Sequence, residues 1–169
     1  MKKEKVVGIL GGLGPEATLR LFQVILEKTP ASSDQDHLHL IIDNNPKIPE
    51  RLPAILGTGP DPVPMMVASG QALERAGADF IIIPCVSAHY FLPELSRRLS
   101  LPIISMLDEA AVRIKAFKPQ IKKAGAQGIL SGCTEISIVI DPSSFSVPGF
   151  DALTILGQAA IREAGLTPL

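Results

Sequence analysis

Lys5-Val6-Val7-Gly8-Ile9-Leu10 runs directly into Gly11-Gly12-Leu13-Gly14-Pro15, and the segment from Glu16 to Lys28 then carries apolar residues at Ala17, Leu21, Val24 and Ile25. A short apolar, β-branched run, a glycine turn and a stretch with helical spacing predict strand, turn and helix in that order. The plan recurs along the chain. Strands are predicted over His39–Ile42, Asp79–Ile83, Pro102–Ile104 and Gln127–Ser131, and helices over Pro62–Ala76, Ala88–Leu99, Met106–Phe117, Glu135–Ile140 and Asp151–Ala164. Apolar strands alternating with helices define an α/β protein with a doubly wound parallel sheet covered on both faces.

Composition narrows the class of partner. The 169 residues are 46% hydrophobic and 20% charged, which fits one globular domain or two very small ones and excludes disorder and coiled coil. Lys and Arg number 16 against 17 Asp and Glu, and a net charge of -1 gives no electrostatic case for nucleic acid or an anionic membrane. No apolar run reaches the roughly 20 residues that span a bilayer, and the start turns to glycines before a secretory cleavage pattern forms, so a cytoplasmic location is expected. Aromatics make up only 4%, so the core must be aliphatic.

Cys85 and Cys133 are too few for a disulfide framework and are read as reduced thiols. Each closes the same pattern: Gly-Ala, a polar residue, an apolar strand, a turn-forming residue, then Cys, at 77–85 and again at 125–133. Both thiols therefore fall at the carboxyl end of a strand, the edge where open α/β sheets bind ligands and where the amides of a following helix favour a thiolate. Two thiols on opposite faces of one carbon can remove and return a proton, as inversion of a stereocentre requires. The plainer alternative is that each is a small apolar filler. Neither a CxxC nor a paired His lies near, so no metal site is expected. His89, four residues after Cys85, is placed to orient that thiol.

Two further segments suit an anionic ligand. Gly11-Gly12-Leu13-Gly14 lacks the spacing of a dinucleotide site or a P-loop but can act as a nest for a carboxylate, with Thr18 one turn into the helix. The stretch from Asp43 to Pro64 holds six prolines, is long for a connection, and offers amide and cationic groups at Asn44, Asn45, Lys47 and Arg51.

GILGGLGPEAT at 8–18, DNNPKIPER at 43–51, GADFIIIPCVSAHYF at 77–91 and GCTEI at 132–136 resemble the aspartate/glutamate racemase family of cofactor-independent amino-acid racemases. The resemblance extends over nearly the whole chain. It implies two pseudo-symmetric α/β domains around the substrate, with Cys85 and Cys133 as alternating base and acid. Arg51 would bind a substrate carboxylate, and Gly12, Ser87 and Thr134 would line the site through amides or hydroxyls. His89 and Glu135 are the corresponding candidate orienting residues. The implied activity is racemisation of aspartate, glutamate or a related amino acid without pyridoxal phosphate or any other cofactor. The implied partners are a small amino acid or dicarboxylate and a second copy of the chain, with neither nucleic acid nor membrane.

Two departures qualify the resemblance. The family's PCNTAH reads Pro84-Cys85-Val86-Ser87-Ala88-His89 here, and losing an Asn hydrogen bond in a buried site costs about 1–3 kcal/mol. Family members also run roughly 60 residues longer, the missing part falling between Phe117 and Gly125 in the second domain. The expected organisation is a first racemase-like domain over 1–116, a truncated second-domain remnant with the GCTE turn over 117–150, and a C-terminal helix over 151–169 packing back on the first domain. Gln127–Ser131, stripped of its neighbours, is expected to join the first sheet or pair with another chain. Two other activities are consistent with these features: carboxylate binding without turnover, and a related Cys-dependent isomerase or decarboxylase.

Overall fold

A computed structural model describes residues 4–113, the strand 129–131 and residues 149–169. Strand β1 (Val7–Gly11) leads through helix α1 (Pro15–Lys28) to β2 (Leu40–Asn44). Helices α2 (Arg51–Ile55) and α3 (Val63–Ala76) precede β3 (Phe80–Ile82), and α4 (Leu92–Arg98) precedes β4 (Ile103–Ile104). A further helix, α5, begins at residue 106 and is described to residue 113. Strands β5 (Ile129–Ser131) and β6 (Gly149–Asp151) and helix α6 (Ala152–Ala164) follow.

The first four strands form one parallel sheet in the order β2-β1-β3-β4, with Val7 opposite Leu40 on one side and Phe80 on the other. Period-two alternation sends neighbouring side chains to opposite faces. Val7, Ile9, Phe80 and Ile82 join a cluster with Leu21 and Ile25 of α1, Met106 of α5, and Leu153, Leu156 and Ile161 of α6. Leu10, Ile81 and Ile83 join the other, with Met66, Val67 and Leu73 of α3 and Leu95 of α4. Each such side chain, fully buried, contributes roughly 1.5–3 kcal/mol. The expected doubly wound α/β sheet is therefore present.

Helix α6 is held at both ends. Its first turn is capped by the buried Asp151 carboxylate, which accepts from the Leu153 and Thr154 amides at 3.4 and 2.9 Å, leaving fewer orphan donors at the helix start. Farther along it packs on α1, and beyond it the Leu169 amide donates to the Lys28 carbonyl at 2.9 Å. Ion pairs Lys5–Glu163 and Arg162–Glu109 flank it.

Four local readings change. The single helix expected over Ala88–Leu99 is a 3-10 segment (Ser87–Phe91) followed by α4, because Pro93 has no N–H to continue a helical ladder and sits instead in the first turn of a new helix. The Pro-rich stretch from Asp43 to Pro64 contains α2, only five residues long and interrupted by Pro53, too short to show a period. The described part of Gln127–Ser131 does not join the first sheet. It pairs in parallel with β6, Ile129 opposite Gly149 and Ser131 opposite Asp151. Gly149–Asp151, read as loop and helix start, is thus a strand whose three residues take their conformation from a partner. The helix expected over Glu135–Ile140 lies outside the described residues.

Candidate active site

Strand order fixes where the site must be. From β1 the chain passes through α1 to β2 on one side, and then through α3 back across β1 to β3 on the other, so the topological switch point lies between β1 and β3. Ligands of open α/β sheets bind at the carboxyl ends of the strands beside such a point. The turns that leave β1, β2 and β3 there carry Gly12, Arg51 and Cys85 respectively.

Cys85 follows β3 by way of Pro84, and its amide donates to the Ile83 carbonyl at 2.9 Å, which turns the chain sharply. Its side chain is 5% exposed and shares an apolar cluster with Leu13, Ile48 and Ala88 from the turns around it. Among the described residues the polar neighbour of Sγ is Ser87 Oγ, at 3.4 Å. A thiol has the basicity range for proton transfer near neutral pH, and the hydroxyl can donate to it when it is ionised. Val86, between them, packs toward the cluster beneath α1 and α6.

Arg51, half-buried at the start of α2, spans two turns. Its guanidinium donates to the carbonyls of Pro49 at 2.8 Å and Leu13 at 2.9 Å, with a longer bond to Ile48 at 3.4 Å, while Nε is buried without a hydrogen-bond partner among the described residues. Among the described residues it has no carboxylate partner. A cation neutralised by no acid but anchored on three carbonyls keeps its charge available to an anionic ligand.

Gly12 has φ +85° and its amide donates to Thr18 Oγ1 at 3.0 Å, the hydroxyl in turn donating to the Gly14 carbonyl. The Gly12 amide thus has a partner within the protein. What Gly12 contributes is close approach: a Cβ there would lie 2.4 Å from the Asn45 carbonyl carbon. The Asn45 amide donates to the Gly11 carbonyl at 3.3 Å, and Asn45 Oδ1 accepts from the Lys47 amide at 3.1 Å, so the β2 turn is folded onto the β1 turn.

His89 is 5% exposed and lies under the thiol turn. Its Nδ1 is 2.8 Å from the Cys85 carbonyl oxygen and its Nε2 accepts from the Met106 amide at 2.9 Å. It reaches Cys85 through the main chain and not through sulfur. Burial pushes its pKa below the usual 6.5, against opposing contributions from the Cys85 carbonyl and Asp108.

The structure brings Gly12, Arg51, Cys85, Ser87 and His89 to one sheet edge. Cys133, Thr134 and Glu135 lie outside the described residues. Sequence reasoning missed the Met106 amide and the backbone role of Asn45. Ser105 with Asp108 three residues later marks a helix start, and the Asp108 amide does donate to Ser105 Oγ at 3.2 Å, so the orphan donor at Met106 had a signal.

This fold and edge define a class of α/β proteins with a thiol and a guanidinium at the strand ends, and residues 10–121 match the family described as Asp/Glu/Hydantoin racemase. The chain belongs to that family. It is 30% identical over 128 residues to the broad specificity amino-acid racemase RacX of Bacillus subtilis (strain 168), an alignment covering 73% of this chain and 54% of RacX. The chain thus spans about half the length of that relative. In fold it is similar to Picrophilus torridus aspartate racemase, with a TM-score of 0.86 at 23% identity over 98% of this chain and 96% of that one. An aspartate racemase homologue from Pyrococcus horikoshii OT3 gives 0.74 at 20% identity, over 95% and 99%.

Proposed function

We propose that the protein racemises an amino acid without a cofactor, Cys85 transferring the α-proton on one face of the substrate and Cys133 on the other. In one direction a Cys85 thiolate takes the α-proton, the electron pair stays on the carbanion, and the Cys133 thiol returns a proton to the opposite face. Arg51 binds the substrate carboxylate and offsets the negative charge that develops there. The observation that carries this reading is the pairing, at the switch point, of a buried thiol contacted by a hydroxyl with a guanidinium that no described acid neutralises. Aspartate, glutamate and a wider set of amino acids are the substrates to try, since RacX is described as broad in specificity.

Incubation in D2O with L-aspartate, L-glutamate and other common amino acids tests it. The α-proton signal should decay with the parent, and Cys85→Ala and Cys133→Ala should each slow that decay by roughly 10²–10⁴-fold. No exchange with any amino acid overturns it. The span of about half of RacX favours a second reading, carboxylate binding without turnover. Thermal stabilisation by dicarboxylates, lost in Arg51→Ala and unaccompanied by exchange, would select it.

A further inference from the structure

We infer that His89 is a positioning residue for Cys85, working as a fixed neutral imidazole that ties the thiol turn to the start of helix α5. The catalytic part of this inference rests on the racemase reading above. The two partners of the ring settle its protonation by their own chemistry. The Met106 amide can only donate, so Nε2 must be bare; the Cys85 carbonyl can only accept, so Nδ1 must carry the proton. Both contacts are close to ideal in length. The result is one defined tautomer between two main-chain groups that lie 21 residues apart in sequence.

The place of each anchor explains why the bridge matters. Met106 is the first residue of α5, where an amide has no intrahelical acceptor, and Ser105 Oγ serves the Asp108 amide in the same turn. The Met106 side chain is wholly buried in the cluster beneath α1 and α6. Cys85 stands on the far side of the sheet, in the cluster beneath α3 and α4. The imidazole therefore references the carbonyl of the thiol residue to a helix start seated on the opposite face. An imidazolium could not accept from Met106, and it would meet the positive end of the α5 dipole. Asp108, in that first turn, pulls the other way by favouring a charged ring, but burial outweighs it.

Positioning through the backbone predicts a specific kinetic pattern. Arg51 and the substrate contacts are untouched by loss of the ring, so binding should persist while proton transfer slows. His89→Gln and His89→Asn, which each retain one end of the bridge, should lower kcat for α-proton exchange by roughly 10- to 100-fold with KM changed less than about twofold. In the parent, long-range 1H–15N correlation should show Nδ1 protonated and Nε2 bare at pH 7, and the Cys85 carbonyl 13C signal should move in His89→Gln. An Nε2–H or doubly protonated ring overturns the inference, as do folded variants with parental kcat. Should the variants fail to fold, the tautomer in the parent still decides it. An inactive parent retires the racemase reading alone, and the tautomer with the Cys85 carbonyl signal then decides whether the bridge holds the turn.

Discussion

Replacing Gly12 with Ala separates two effects that usually come together. At φ +85° an L side chain is strained by about 1–2 kcal/mol whatever surrounds it. Gly77 supplies the control, because it ends α3 at φ +95° with nothing within 4 Å of an added Cβ. At Gly12 the added carbon would lie 2.4–2.6 Å from the Asn45 carbonyl carbon, amide nitrogen and carbonyl oxygen, which are backbone and cannot rotate away. Forcing an atom into such a contact typically costs a further 1–3 kcal/mol. Gly77→Ala should therefore lose about 1–2 kcal/mol and Gly12→Ala about 2–5 kcal/mol. At roughly 2–4 °C of melting temperature per kcal/mol for a chain of this size, the two should be separable by thermal unfolding. Urea unfolding gives the same comparison as a shift in midpoint at unchanged slope. The reasoning also predicts where the excess strain goes: the Asn45 turn must retreat, taking with it the Ile48 and Pro49 carbonyls that hold Arg51, so ligand affinity falls in Gly12→Ala and not in Gly77→Ala. Equal stability losses, within about 0.5 kcal/mol, would refute the close approach of the two turns.

Two more outcomes follow from the same contacts. Asp151→Ala removes the carboxylate that caps α6 and should cost about 0.5–2 kcal/mol in urea unfolding, with Asp151→Asn recovering most of it. His89 binds its proton more weakly folded than unfolded, so the unfolded chain takes up the extra proton on acidification. That contribution to stability is complete above about 6.5 and is lost as pH falls from there toward the lower folded value; His89→Gln should flatten the slope just below pH 6.5, seen in unfolding midpoints across that range.

Elements with their own periodicity were legible in the sequence. The run at Val7–Leu10, the helical spacing of α1 and the buried DFIII segment at 79–83 each declare a type, and their alternation declares the parallel sheet. Elements that depend on a partner were not. Gly149–Asp151 is a strand only because Ile129–Ser131 lies beside it, and the split between Ser87–Phe91 and α4 is set by one proline. The same division runs through the site. Cys85 could be placed from the strand that precedes it, and Arg51 and Gly12 from the turns that carry them. That the Gly12 amide is occupied by Thr18, that Arg51 rests on three carbonyls, and that His89 looks away from sulfur toward Met106 are properties of turns folded on one another. No spacing rule encodes them.

The seating of α6 on α1 also governs how the chain comes off the ribosome. Strands β1 to β4 and helix α1 are synthesised well before residues 152–164, yet Leu153, Leu156 and Ile161 complete the cluster that covers Val7, Ile9, Phe80 and Ile82. Until α6 emerges, the face already packed against Leu21 and Ile25 of α1 stays only partly covered, and long-range closure of this kind is slow and leaves apolar surface exposed in the meantime. The nascent sheet must therefore spend its first seconds as a half-covered layer that needs shelter, and its final stability arrives with one late helix.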